Sequence, residues 1–254
     1  MILNGSDIEV TRCFHDGRGG GYAPPIVNCR VGENITLRNS AAFSGMCQVT
    51  LVNTKNVILE NNVFAIPSIW TVAGFLVPDG SIRFHRNIVT DNSRAKTFQG
   101  LLRLDNLHAL DEKDNLYYTR FPRELRVIVD YLDPRKKGKN PWTMLKLDDY
   151  YRQIGKDGGS RFADPDLPLV KLWQWKNAGE RQRDQGKGAS LGKKINDQEF
   201  SRNPQNMSQF RYLDFQDCFA RSAPVAKDGK TIGPDPVQFK NMPSAKPQTE
   251  WEQR

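Results

Sequence analysis

The sequence predicts an all-β solenoid, on three observations. Segments with alternating apolar residues recur along the first half: Ile8 and Val10, Ile35 and Leu37, Val57 and Leu59, Ile82 and Phe84, Leu102 and Leu104. That is the period of a strand with one buried face. The strand starts Ile8, Ile35, Val57, Ile82 and Leu102 are separated by 27, 22, 25 and 20 residues, a repeat in the range of roughly 20 to 50 residues that marks solenoids and arrays. Asparagine follows the strands at once, as in NVILENNVF (56 to 64) and SIRFHRNIVTDN (81 to 92).

Taken in order, the elements are DIEVTRCF (7 to 14), NITLRNSAAF (34 to 43), NVILENNVF, SIRFHRN and the strand at Leu102. CQVTLV (47 to 52) and WTVAGFLV (70 to 77) supply further strands, so one coil holds two or three short strands joined by corners. Leucine-rich repeats share the period, but the segments lack their fixed Leu and Asn framework. Residues 173 to 203 are polar and basic, the composition of a surface insertion, and the last residues read as a disordered tail.

These strand-plus-asparagine segments resemble the right-handed parallel β-helix of the pectin-lyase-like superfamily. In such a fold coils stack in register, and like residues at a corner form ladders. Asn62 and Asn87 fall at equivalent positions, as do Asn39 and Asn61. DNLYY (114 to 118) looks like the exit from the last coil of such a fold, and LDDYYRQIGKDGGSRFADPDL (147 to 167) resembles the tail of bacterial parallel β-helix proteins, a short amphipathic helix and then a Ser-x-x-Ala-Asp-Pro element, here Ser160, Ala163, Asp164 and Pro165; residues 210 to 236 resemble the closing strand and Ile-Gly turn of such tails. The expected fold class is therefore an all-β, right-handed parallel β-helix solenoid with an irregular C-terminal extension that contains a short α-helix. The expected division is residues 1–119 as coils and 120–254 as the extension. An uncovered first coil leads to the further expectation that earlier coils precede Met1.

The formal charge of +8 is uneven: residues 1 to 119 carry 11 basic and 11 acidic side chains, leaving 37 − 11 = 26 against 29 − 11 = 18 for the rest. A basic second half attracts polyanions without choosing among them. No run approaches the 18 apolar residues of a membrane span, and no secretory signal opens the chain. Cys13, Cys29, Cys47 and Cys218 form no CxxC pair, which argues against a zinc site and for isolated thiols over the three possible disulfide pairings. No metal and no cofactor is expected.

The resemblance implies an acidic polysaccharide as partner, an extracellular or periplasmic location and, if the protein is an enzyme, a lyase, glycoside hydrolase or epimerase; a monomer is expected. The competing class is a non-catalytic binding or structural solenoid of the cell surface. Aligning the five strands predicts two outward columns. One holds Glu9, Thr36, Ile58, Arg83 and Arg103; the other holds Thr11, Arg38, Glu60, His85 and Asp105. With coils ~4.8 Å apart, Glu60 and Asp105 would lie ~9 to 10 Å apart, at the upper edge of the spacing in inverting glycosidases. Glu60, His85 and Asp105 are the candidate catalytic set, and Arg38, Arg83 and Arg103 would bind uronate or sulfate groups. The competing reading of those columns is a solvated, charge-balanced sheet face. DGRGGGY (16 to 22) lacks the Lys-Ser or Lys-Thr of a phosphate loop. His15 beside Asp16, and His108 near Asp111, read as surface polar residues. Trp173, Trp175, Arg181 and Arg183 have the composition of a single-strand nucleic-acid surface, but no recognised module accompanies them, so nucleic acid is not the expected partner.

Overall fold

A computed structural model describes residues 2–17, 25–44, 47–65, 67, 69–90, 101–118, 127–138, 140–167 and 224–235. The chain divides into two compact units, Met1–Pro165 with Ser222–Val237, and Asp166–Arg221 with Gln238–Arg254. The first unit therefore takes in much of the expected extension, and the description below concerns it. The basic insertion with Trp173, Trp175, Arg181 and Arg183, most of the glycine-rich loop, Cys218 and the tail lie outside the described residues.

The strands are β1 (Ile2–Thr11), β2 (Phe14–Gly17), β3 (Val27–Arg38), β4 (Ala41–Ser44), β5 (Cys47–Val52), β6 (Thr54–Glu60), β7 (Val63–Ala65), β8 (Trp70–Phe75), β9 (Ile82–His85) and β10 (Ile88–Thr90). They continue as β11 (Leu102–Leu104), a 3-10 turn (Leu107–Ala109), β12 (Leu110–Lys113), β13 (Leu116–Tyr118), β14 (Val127–Leu132) and β15 (Trp142–Lys146). Helix α1 (Leu147–Ile154) and β16 (Arg161–Phe162) close the series. Together they form a parallel β-solenoid of about four turns.

Each coil lays one strand on each of three faces. The long β3 turns the corner between two of them: its first half pairs with β5 and its second half with β6. From β3 one arm of the ten-stranded sheet runs β5-β8-β11-β14-β15, the first face. The other arm runs β6-β9-β12, the second face, and β1 joins β3. The third face is the separate sheet β16-β13-β10-β7-β4-β2. All pairs are parallel except β14 with β15, which closes the first face as an antiparallel edge.

The register on the second face corrects the sequence alignment at its last step. Ile8, Ile35, Val57 and Ile82 stack as expected, but the fifth member is Leu110 rather than Leu102. Leu102 lies on the first face, paired with Val72 and Val129. The reason is an acid in the core. The neighbouring inward stack runs Val10, Leu37, Leu59, Phe84 and then Glu112, so the last strand, LDEK, has no apolar alternation, whereas LRL has it.

Glu112 is 4 % exposed. Its carboxylate accepts hydrogen bonds from Tyr151 Oη (2.6 Å), Asn115 Nδ2 (2.8 Å), Tyr117 Oη (3.0 Å) and Ser160 Oγ. Desolvation nevertheless raises its pKa, against the opposing pull of those four donors. The acid thus fastens α1 and the segment after it to the end of the core. Tyr150, fully buried on the same helix, donates to Leu110 O (2.7 Å), and Gly155 ends the helix in the left-handed conformation (φ 70°).

The asparagine ladder exists, and it is longer than the sequence reading. Two residues join each second-face strand to its third-face strand: Arg12-Cys13, Asn39-Ser40, Asn61-Asn62, Arg86-Asn87 and Asp114-Asn115. The first of each pair has φ between 46° and 56°; asparagine and aspartate take this conformation more readily than most residues. The second forms the ladder. Asn62 Nδ2 donates to Asn87 Oδ1 (3.0 Å) and Asn87 Nδ2 to Asn115 Oδ1 (3.1 Å). Each amide also donates to a core carbonyl, Leu37 O, Leu59 O and Phe84 O in turn. Ser40 N donates to Asn62 Oδ1 at one end and Asn115 N to Ser160 Oγ at the other. Asn62, Asn87 and Asn115 are fully buried, so the ladder satisfies corner groups that have no access to water.

Residues 224–235 return to this corner. Asn61 Nδ2 donates to Thr231 O (2.8 Å) and Gly233 O (3.0 Å), and Gly233 N donates to Arg86 O (2.7 Å).

Candidate functional site

The second face carries Arg38, Glu60 and His85 in one outward row, as expected, but the row continues to Lys113 and not to Asp105. Arg83 sits in the adjacent row, which continues to Asp111 and not to Arg103. The face is a chain of ion pairs. Arg38 reaches Glu9 (Nη1 to Oε1, 3.9 Å) and Glu60 (Nε to Oε2, 3.4 Å). Arg86 holds the other oxygen of Glu60 and donates to Asn61 Oδ1. Both oxygens of Glu60 are therefore occupied by arginine.

His85 makes its contact with Asp111, Nε2 to Oδ2 2.9 Å. Burial lowers the His85 pKa, with Arg83 acting in the same direction, and outweighs the raising pull of Asp111 and Glu60. The shift favours the neutral imidazole. His108 is exposed, its backbone N–H donating to Asn106 Oδ1 (3.0 Å).

Arg103 and Asp105 lie together on the first face, in an environment that the expected columns did not contain. The Arg103 guanidinium sits 4.5 Å from the ring centroid of Trp70 and 3.6 Å from that of Trp142. Trp142 also meets Phe75 edge to face, centroids 6.3 Å apart. Burial lowers the Arg103 pKa, and the nearby carboxylate of Asp130 opposes the shift. Among the described residues the Arg103 side chain has no hydrogen bond or ion pair; it meets the two indoles and the field of Asp130.

Asp105 follows β11 and lies next to Phe75 on the neighbouring coil, its N–H bonded to Gly74 O (3.1 Å). Burial raises its carboxyl pKa, against the backbone N–H groups of Leu76 and Asn106 that favour the charge. Its Oδ1, like Nε1 of Trp70 and Oγ1 of Thr71, is buried without a hydrogen-bond partner among the described residues. Phe75 and Leu132 are each 38 % exposed and Met144 47 %, so an apolar, partly open strip surrounds the stacked cation.

Of the six expected site residues, the structure brings together Arg38, Glu60, His85 and Arg83 on one face and Arg103 and Asp105 on another. Trp70, Phe75, Asp111 and Trp142 are the neighbours that sequence reasoning missed. The signal for Asp111 was available: Asn62, Asn87 and Asn115 each precede a triplet that opens on two large side chains, VFA, IVT and LYY. Aligning on those asparagines places Asp111 beside Arg83. Trp142 carried no comparable signal, because it belongs to the antiparallel closing strand and not to a coil.

No group of three or more His, Cys, Asp or Glu side chains arranged to hold a metal occurs among the described residues, and no described helix is long and apolar enough to cross a membrane. Cys13, Cys29 and Cys47 are free thiols. Compared with protein-family models, curated proteins and solved structures, the chain matches none.

Proposed function

We propose that this chain is a polysaccharide-binding solenoid of the right-handed, pectin-lyase-like kind, and that its ligand carries uronate carboxylates or sulfates. The ligand class rests on the sequence resemblance. The site rests on one observation, the Arg103 guanidinium over the rings of Trp70 and Trp142, with no ion-pair partner among the described residues. A guanidinium stacked on aromatic rings keeps its N–H edge for a coplanar, bidentate anion, and neighbouring aromatic rings suit the C–H face of a pyranose. A ligand of this kind goes with an extracellular or periplasmic location.

Binding is favoured over cleavage at Glu60, since two arginines occupy both of its oxygens. Turnover by a lyase, glycoside hydrolase or epimerase is the second reading. Asp105 favours it, because burial shifts this carboxyl toward the protonated form that a general acid requires.

Calorimetric titration with polygalacturonate, alginate, a sulfated glycan and neutral dextran tests the proposal. At least one acidic polymer binds and dextran does not, and Arg103→Ala weakens binding about tenfold. Undiminished binding by Arg103→Ala, or silence with every acidic polymer, overturns it. New reducing ends or unsaturated uronates that vanish in Asp105→Asn establish the second reading.

A further inference from the structure

Resting on that reading, we infer that the turn joining β14 to β15 is a second cationic subsite of the same face. The ligand is then recognised as an internal run of charged sugars and not as one terminal residue. The turn is exposed from Pro134 to Gly138, and Leu132 and Trp142 face each other across its base.

Asp133 shapes the turn. Its carboxylate accepts from Arg135 N (3.0 Å), Arg135 Nε (2.9 Å), Arg135 Nη2 (2.9 Å), Thr143 Oγ1 (3.0 Å) and Tyr131 Oη (3.2 Å). Arg135 is therefore spent on the turn. Lys136 uses one of its three N–H groups on Trp142 O (2.9 Å), which ties its ammonium to the strand that carries the indole. Lys137 has no hydrogen bond or ion pair among the described residues. Two lysines thus follow Asp133 on an exposed turn that leads out of the strand carrying Leu132.

Arg103 is level with Asp130 on β14, and the strand from Asp130 to the start of the turn covers ~10 Å at ~3.3 Å per residue. A chain of several sugars covers that span while its rings pass over Trp142 and the apolar strip. One anion meets the Arg103 fork and a later one meets Lys136 and Lys137. Charge complementarity selects an acidic polymer, and the separation of the cations selects more than one charged unit.

The test is titration with galacturonic acid and with oligogalacturonides of increasing length, using the parent chain, Arg103→Ala and Lys137→Glu. Lys137 is exposed, and far-UV circular dichroism checks that each variant is folded. Oligomers are expected to bind more tightly than the monomer. Lys137→Glu is expected to weaken the oligomers about tenfold while leaving the monomer unchanged, with an effect that shrinks at high salt. If the monomer binds as tightly as the oligomers, or Lys137→Glu has no effect while Arg103→Ala still weakens binding, the turn is not a subsite and the Arg103 reading survives. If no acidic saccharide binds, both readings fall. Tighter binding of a single-stranded oligonucleotide than of any oligogalacturonide overturns the inference in favour of nucleic acid.

Discussion

Replacing Asn87 by alanine tests whether the buried amide ladder holds the solenoid together. The Asn87 side chain makes four hydrogen bonds: Nδ2 donates to Leu59 O (2.8 Å) and Asn115 Oδ1 (3.1 Å), and Oδ1 accepts from Asn62 N (3.0 Å) and Asn62 Nδ2 (3.0 Å). Asn115 Oδ1 keeps a donor, because Asn87 N still reaches it (2.8 Å). Asn62 loses the acceptor for its N–H and for one amide proton, in a place without water. At about 1 to 3 kcal/mol for each buried donor left unpaired, the expected loss is about 2 to 6 kcal/mol. That is a large fraction of the 5 to 15 kcal/mol typical of a domain.

The control is Asn56→Gly. Asn56 is exposed, donates to Asn34 Oδ1 (3.0 Å) and has φ 54°, a conformation that glycine keeps without strain. Its expected cost is about 0.5 kcal/mol. Urea denaturation followed by far-UV circular dichroism compares the two. An Asn87→Ala cost below about 1 kcal/mol, or equal to that of the control, would refute the assignment of stability to the ladder.

Three further outcomes follow from the same geometry. Glu112 has a raised pKa when folded, so the folded state holds its proton more tightly than the unfolded state. That contribution is complete below the ordinary glutamate value and is lost as pH rises through the folded value. Glu112→Gln should therefore be more stable relative to the parent at pH 8 than at pH 4, as read by thermal melts; a difference independent of pH would count against a titrating hub. Asp111→Asn removes the largest of the influences that raise the His85 pKa, so the NMR titration midpoint of His85 should fall further below the ordinary histidine value, and an unchanged midpoint would deny the 2.9 Å contact. Gly158→Ala places a Cβ against the backbone oxygen of Glu112 with no room for it, and the backbone shift this forces should cost about 1 to 3 kcal/mol. A melting temperature equal to that of the parent would show that the segment after α1 is not packed this closely.

The repeat was legible because each coil buries the same side of the same strand, and Ile8, Ile35, Val57 and Ile82 stack as their spacing implies. Reading failed at the last coil, where the inward position is held by a carboxyl that four donors make tolerable. A pattern of apolar residues cannot register an acid in the core. That slip moved Arg103 and Asp105 onto the wrong face. Their real neighbours come from β8 and from the antiparallel β15, elements outside any aligned repeat. Trp70 stood in a recognised strand, yet its approach to Arg103 depends on side-chain direction across two coils and leaves no trace in linear spacing.

The two-residue joint between the second and third faces does not vary, from Arg12-Cys13 to Asp114-Asn115. The other joints do. Two residues separate β4 from β5 and eleven separate β10 from β11, while one separates β5 from β6 and six separate β8 from β9. The molecule therefore has one seam that fixes its pitch and two edges along which length is free to change. A segment inserted at either free edge leaves every later asparagine opposite its partner. One residue added at the seam displaces an amide from the stack and breaks the continuity on which the coils beyond it depend.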